Sequence, residues 1–216
     1  MDYLARESSP FENDFWRNID KTVIETASRT LIGRRFLNIY GPLGSGTISV
    51  QYDKNNREEV FENGIVKTSG RKSVELPQLY EDFTLLWRDI ENNEKNKLPL
   101  DLSVVSSAAQ NLANIEDNLI FYGNEFLGVE GILNAKGSQK LKLSDWGVGE
   151  NPYKDIVKAI NMITEKGIVG KITLCLSRGL YFDLQRIQQG TGMTEAQRIS
   201  SMIGNLFNVS VIKDKK

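Results

Sequence analysis

Three groups of residues in this chain have types and spacings that could do chemistry. Gly41, Gly44 and Gly46 in GPLGSGT stand at the spacing of a phosphate-cradling loop. Such a loop needs a following Gly-Lys-Ser/Thr and a helix to receive the phosphate. Neither follows here, and the pattern turns to strand instead. Glu116 and Asp117 are adjacent carboxylates of the kind that divide acid and base work. On a helix, neighbours point about 100° apart, so the two diverge and read as a solvated or ion-paired face. Cys175, the single cysteine, lies in the apolar run Ile172–Leu176, the setting of a buried inert thiol rather than a nucleophile. Trp87 and Trp146 read as packing residues.

Histidine is absent from all 216 residues. That excludes Ser-His-Asp and Cys-His triads and any His-ligated metal site. One cysteine forms no intrachain disulfide, which fits a reducing cytoplasm. Catalytic residues, metal ligands and cofactor motifs are therefore expected to be none. Lys and Arg number 27 against 28 Asp and Glu, so the charge argues for neither nucleic acid nor an anionic membrane as a partner. The N-terminus has no apolar core of signal-peptide length, and no stretch reaches the roughly 20 apolar residues of a membrane span.

The elements that would position these residues are of mixed α+β type. Residues 1–10 form a short polar arm. Phe15, Trp16, Ile19, Val23, Ala27 and Leu31 recur at helical spacing, with Gly33 as the stop. Strand-like runs follow at Ile48–Tyr52, Glu59–Phe61, Ile65–Thr68 and Ser73–Leu76, and Asn63-Gly64 marks a hairpin. That hairpin is too poor in core residues to stand alone and needs something to lie on. Phe83, Leu85 and Trp87 alternate with polar residues as in a strand, and Glu91–Lys97 reads as a polar connector. A long helix capped by Asp101 carries Leu102, Val105, Ala109, Leu112, Ile115, Leu119 and Tyr122, and ends at Gly123.

A second unit begins near Gly128. Asn151-Pro152 starts a helix whose apolar face is Ile156, Val157, Ile160 and Ile163, with Gly167 as its end. Ile172–Leu176 is a buried strand, Leu180–Ile187 a helix, Gln188–Thr194 a loop, Glu195–Ile203 a helix and Phe207–Ile212 a last strand.

Four segments, taken together, resemble one family. LIGRRFLNIYGPLGSG (Leu31 to Gly46), DFTLLWRDIE (Asp82 to Glu91), EDNLIFYGNEFLGVEGIL (Glu116 to Leu133) and LQRIQQGTGM (Leu184 to Met193) look like encapsulin shell proteins, also called linocin-type proteins. The resemblance runs in order from Met1 to about Val211. It implies the tailed-phage major capsid protein fold, of the Hong Kong 97 type. By that resemblance residues 1–45 are an N-terminal arm and inner-surface helix, 46–76 an extended hairpin loop, 77–127 a peripheral domain with a spine helix, 128–212 an axial domain, and 213–216 a charged end.

The implied function is a non-enzymatic, self-assembling shell subunit. Copies would associate with themselves in multiples of sixty to make a cytoplasmic nanocompartment. The shell would enclose a cargo enzyme, such as a dye-decolorising peroxidase or a ferritin-like protein, held by a C-terminal cargo tail. The positions matching the family's cargo groove are Ala27, Leu31, Arg34 and Asn38. Gln188, Gln189, Gly190, Thr191, Gly192 and Thr194 match the loop facing the fivefold pore. Family members continue beyond the position matching Ile212, with strands that complete the peripheral domain. This chain ends at Lys216, so part of that domain is expected to be missing. The alternatives are a secreted linocin-type bacteriocin or protease and a phage-derived capsid protein. The missing histidine and signal sequence weigh against the first, and the lack of a basic arm in residues 1–20 against the second.

Overall fold

The structure is a computed structural model that describes residues 5–60, 63–188 and 190–214. In chain order the elements are α1 (Asn13–Thr30), a 3-10 turn (Gly33–Arg35), β1 (Ser49–Val60), β2 (Val66–Glu75), α2 (Trp87–Asn96) and α3 (Ser103–Tyr122). Then come β3 (Gly123–Asn124), β4 (Val129–Glu130), α4 (Asn151–Thr164), β5 (Thr173–Leu176), α5 (Arg178–Asp183), α6 (Glu195–Ser200) and β6 (Asn205–Asn208).

The first half is built on two packed helices. The buried face of α3 is Val105, Ala108, Ala109, Ala113, Asp117 and Phe121. Its alanines let α1 approach closely, and α1 buries Ile19 and Thr26 in return. The Thr26 and Ser106 hydroxyls meet at 3.1 Å across this contact. The apolar stripe expected for α3 is rotated as a result. Val105 and Ala109 are buried, while Ile115 and Tyr122 are exposed beside a groove that also holds Leu79 and Leu127. Alanines fill the middle of the inward face, with Val105 and Phe121 toward its ends.

The N-terminal arm folds back on α1. Arg6 forms a bidentate ion pair with Asp20, at 2.6 and 2.7 Å, and its guanidinium lies 5.1 Å above the Trp16 ring. Phe11 stacks on Phe15 and reaches Trp87 at 6.0 Å. Trp87 opens α2 and is 65% exposed, so it is no core residue. The run Phe83–Trp87 is not a strand, and most of the expected connector Glu91–Lys97 is helical. Lys97, in the left-handed region at φ +51°, ends α2.

The expected hairpin forms as two long antiparallel strands instead of four short runs. Ser49 pairs with Glu75 and Val60 with Val66, with an irregularity between Asp53 and Arg57. Gly64 supplies the positive φ the turn requires. Ile48, Ile65 and Val66 at its two ends are exposed. The expected run Glu59–Phe61 reaches Phe61, which lies outside the described residues.

The second half centres on a parallel pair, β5 and β6, in register from Thr173↔Asn205 to Leu176↔Asn208. α4, α5 and α6 pack a core of Trp146, Ile156, Leu176, Leu184, Ala196 and Ile199. The final strand is shorter than expected, but Val209 and Val211 beyond it are buried with Ile32 and Phe121. These residues join the two halves. Cys175 packs against the same cluster, and burial, with Asp117 nearby, pushes its thiol up to about 11. α5 runs Arg178–Asp183 and stops short of the expected end at Ile187, which instead pairs with Thr194.

Asp155 is the polar anchor of this core. It is 5% exposed and accepts hydrogen bonds from the Ser144 amide (2.8 Å), the Ser144 hydroxyl (2.5 Å) and Trp146 Nε1 (3.1 Å). Burial alone pushes its carboxyl up. The three hydrogen bonds and the Lys158 charge outweigh that, and the net direction is down. A carboxyl lowered on folding contributes stability above its unfolded value near 3.9, and this is lost as pH falls through the lower folded value. Thermal melts from pH 6 down to 2 should therefore show an acid-side loss of stability that Asp155→Asn flattens. Parallel wild-type and variant curves would contradict this role.

Candidate functional site

The strip from Ala27 to Asn38 is fixed to α3 by the two adjacent carboxylates. Leu31 leaves the helical conformation, and its amide donates to the Ala27 carbonyl at 2.9 Å. The next two amides turn inward. Ile32 N donates to Asp117 Oδ2 at 2.9 Å, and Gly33 N to Asp117 Oδ1 at 3.0 Å. Asp117 is fully buried, which corrects its reading as a solvated or ion-paired residue. Gly33 is not a left-handed helix stop, since α1 already ends at Thr30. A Cβ there would stand 2.6 Å from Ile120 Cδ1 and 3.2 Å from Asp117 Oδ1, so a larger residue would have to displace the Ile120 side chain.

The neighbouring carboxylate works on the outside. Glu116 receives Arg34 in a bidentate pair, Nε at 2.5 Å and Nη2 at 2.8 Å. That partner raises the already high Arg34 value further. Arg35 caps the end of α1, donating Nη2 to the Ser28 (2.8 Å) and Arg29 (3.0 Å) carbonyls. Ala27 and Leu31 are partly buried, whereas Arg34 and Asn38 are exposed. Ile24, Leu37, Ile39 and Tyr40 leave further apolar surface around the strip. The arrangement is a rigid surface with an apolar shelf, an occupied guanidinium and a free amide.

The loop at 188–194 is closed at its base by the Ile187–Thr194 bridge and by Gln188 N donating to the Met193 carbonyl at 3.0 Å. Gly190 and Gly192 turn it with φ of +87° and +67°. Its polar side chains are not equivalent. Gln188 is tied to Glu150 and Arg198. Thr194 spends its hydroxyl capping α6, in a capping box with Gln197. Thr191 is exposed. Gln189 lies outside the described residues. Among the described residues no cluster of three or more His, Cys, Asp or Glu side chains could hold a metal, and no helix is long and apolar enough to cross a membrane.

A family model described as an encapsulating protein for peroxidase matches residues 1–215. The chain belongs to the encapsulin shell protein family. It is 38% identical over 209 residues to the type 1 encapsulin shell protein EncA of Myxococcus xanthus, covering 93% of this chain and 73% of that one. A diheme-cytochrome-encapsulin shell fusion protein of Kuenenia stuttgartiensis is 35% identical, over 93% of this chain and 57% of its own length. The architecture matches the crystal structure of a virus-like particle from Pyrococcus furiosus with a TM-score of 0.66, at 18% identity, over 92% of this chain and 75% of that one. The capsid-type fold implied by the family resemblance is thus the fold of this encapsulin chain.

Asp117, which holds the 27–38 strip, is the residue whose role the sequence reading missed. Ala113, Asp117 and Phe121 follow Ala109 at four-residue steps, but the stripe through Leu112, Ile115 and Leu119 competes with that line, so spacing alone does not select it.

Proposed function

We propose that copies of this chain close into an icosahedral shell, in multiples of sixty, around a cargo enzyme, and that the subunit supplies wall and address rather than catalysis. The match over residues 1–215 to a family described as encapsulating protein for peroxidase carries this reading and makes a peroxidase the favoured cargo, with a ferritin-like protein as the other class. Residues 1–45 form the inner surface, 46–76 reach over a neighbour, 77–127 and 128–212 are the peripheral and axial parts, and the loop at 188–194 borders the fivefold opening. The shell works in the cytoplasm. Exposed Ile48, Ile65 and Val66 support a hairpin stabilised between subunits. Light scattering of the purified protein should show megadalton particles. Monomers or dimers alone over a wide concentration range would overturn the shell reading.

The cargo tail docks on Ala27, Leu31, Arg34 and Asn38. Leu31 contributes apolar contact, Asn38 pairs with tail backbone, and Arg34 presents donors left over from its pair with Glu116. Leu31→Asp should lower the cargo-to-shell ratio of purified particles about tenfold, the effect of losing roughly 1.4 kcal/mol per tail. Arg34→Gln should lower it less, since the Glu116 pair already occupies part of the guanidinium. Particle yield should hold in both variants. Equal loading in wild type and both variants would move docking elsewhere. Loss of particles in both would mean that these residues only hold the subunit together.

A further inference from the structure

A cleft of about 430 Å³ opens at the foot of the 188–194 loop, lined by Gly149, Glu150, Arg186, Ile187, Gln188 and Glu195. Glu195 is 3% exposed, and its Oε2 is buried without a hydrogen-bond partner. Its Oε1 stands 3.7 Å from Arg198 Nη1, within ion-pair range but too long for a hydrogen bond. A buried carboxylate oxygen left in this way costs the desolvation of a charged group until a donor meets it.

The donors around it are committed elsewhere. Arg198 bonds Gln188 Oε1 and, at 3.2 Å, Glu150 Oε1, with its guanidinium 4.3 Å from the Tyr153 ring centroid. Arg186 donates to the backbone carbonyls of Asp183 (3.0 Å), Gly147 (2.6 Å) and Trp146. The Gln188 amide donates to Glu150. Arg198 therefore serves two carboxylates, and Glu195 keeps one oxygen waiting for a donor. Ile187 and Met193 beside the cleft are 70% and 46% exposed, apolar surface suited to cover by another protein chain.

We propose that this cleft receives an ammonium or guanidinium group, supplied in the shell by a lysine or arginine of an adjacent copy. The inference rests on the shell reading. In an isolated subunit the Glu195 oxygen is uncompensated. In the assembly a donor of the right charge meets it and ties the foot of the loop to the neighbour.

The test uses the full chain with Glu195→Leu and the milder Glu195→Gln. Removing one partner of a buried charge pair should raise the concentration needed for half-assembly at least about tenfold in Glu195→Leu, and less in Glu195→Gln. The melting temperature of the dissociated chain should stay level or rise, because a buried carboxylate oxygen without a donor has gone. In a second arm, methylammonium chloride should raise the melting temperature of dissociated wild type more than tetramethylammonium chloride at equal ionic strength. Glu195→Leu should abolish that difference. Unchanged assembly in both variants, or a dissociated chain destabilised in step with assembly, would overturn the proposal. If wild type forms no particles at all, the shell reading fails. The methylammonium arm then decides the cleft by itself: selective protection supports it, and equal melting in the two salts overturns it.

Discussion

Replacing Asp117 with alanine should cost about 4 kcal/mol, a large share of the roughly 5–15 kcal/mol that holds a folded domain. The carboxylate accepts the amides of Ile32 and Gly33 in full burial, and both donors lose their partner when it is removed. Each unsatisfied buried amide costs about 1–3 kcal/mol, and a small cavity adds to that. Asp117→Asn keeps the shape but only one acceptor oxygen, and it turns an NH₂ toward an amide. It should cost about 2–3 kcal/mol. Glu116→Ala is the contrast. Its partner Arg34 is more than half exposed, and such a pair contributes about 0–1 kcal/mol. Denaturant unfolding of the three variants checks the order. An Asp117→Ala loss below about 1 kcal/mol would mean that the amides find other partners and that the clamp does not hold the strip.

That contrast also shows what the sequence could and could not disclose. The divergence of Glu116 and Asp117 is legible from helix geometry, but which of them faces inward is not. The answer depends on α1 and the turn after it, which meet α3 from 80 or more positions away in sequence, Thr26 at Ser106 and the Ile32 amide at Asp117. α1 and α3 are legible because periodic apolar residues and Gly123 mark them, and the hairpin because Asn63-Gly64 does. α2 is not, since Ile90 is its only buried residue and its charged sequence reads as a connector. The expected last strand ran to Ile212 because Val209 and Val211 are apolar. Yet β6 pairs only as far as Asn208, where β5 ends, and the later valines turn into the cluster around Phe121. The positions 27, 31, 34 and 38 come from resemblance alone. Nothing in their spacing predicts that Arg34 is already held by Glu116.

Gly131→Ala should be as damaging as loss of the Asp117 clamp, because the clash is with backbone. α3 ends at Tyr122, and its last carbonyls need partners that the helix cannot supply. The chain makes a short excursion through β3 and β4 and returns to provide them. Ile132 N donates to the Ile120 carbonyl and Leu133 N to that of Phe121, both at 2.9 Å. Asn134 Nδ2 donates to the Tyr122 carbonyl at 2.9 Å, while its Oδ1 accepts Gly131 N at 2.7 Å. This return works only if residue 131 lies flat against the end of α3. A Cβ there would stand 2.3 Å from Gly123 N and Tyr122 C, and 2.5 Å from the Phe121 carbonyl oxygen. None of these atoms can rotate away, so the returning strand must lift and three carbonyls lose their donors together. We expect a loss of about 3 kcal/mol or more, with the Phe121 packing loosened as well. Gly128→Ala separates this clash from simple backbone strain. Gly128 has φ of +65° and open space around its Cβ position, so alanine there should cost only about 1–2 kcal/mol. The two variants should be compared by denaturant unfolding and by particle yield at 37 °C. Gly131→Ala should unfold at lower denaturant and yield few particles, and Gly128→Ala should still assemble. If Gly131→Ala proves no worse than Gly128→Ala, the segment after β4 does not close the end of α3, and another part of the chain must satisfy those carbonyls.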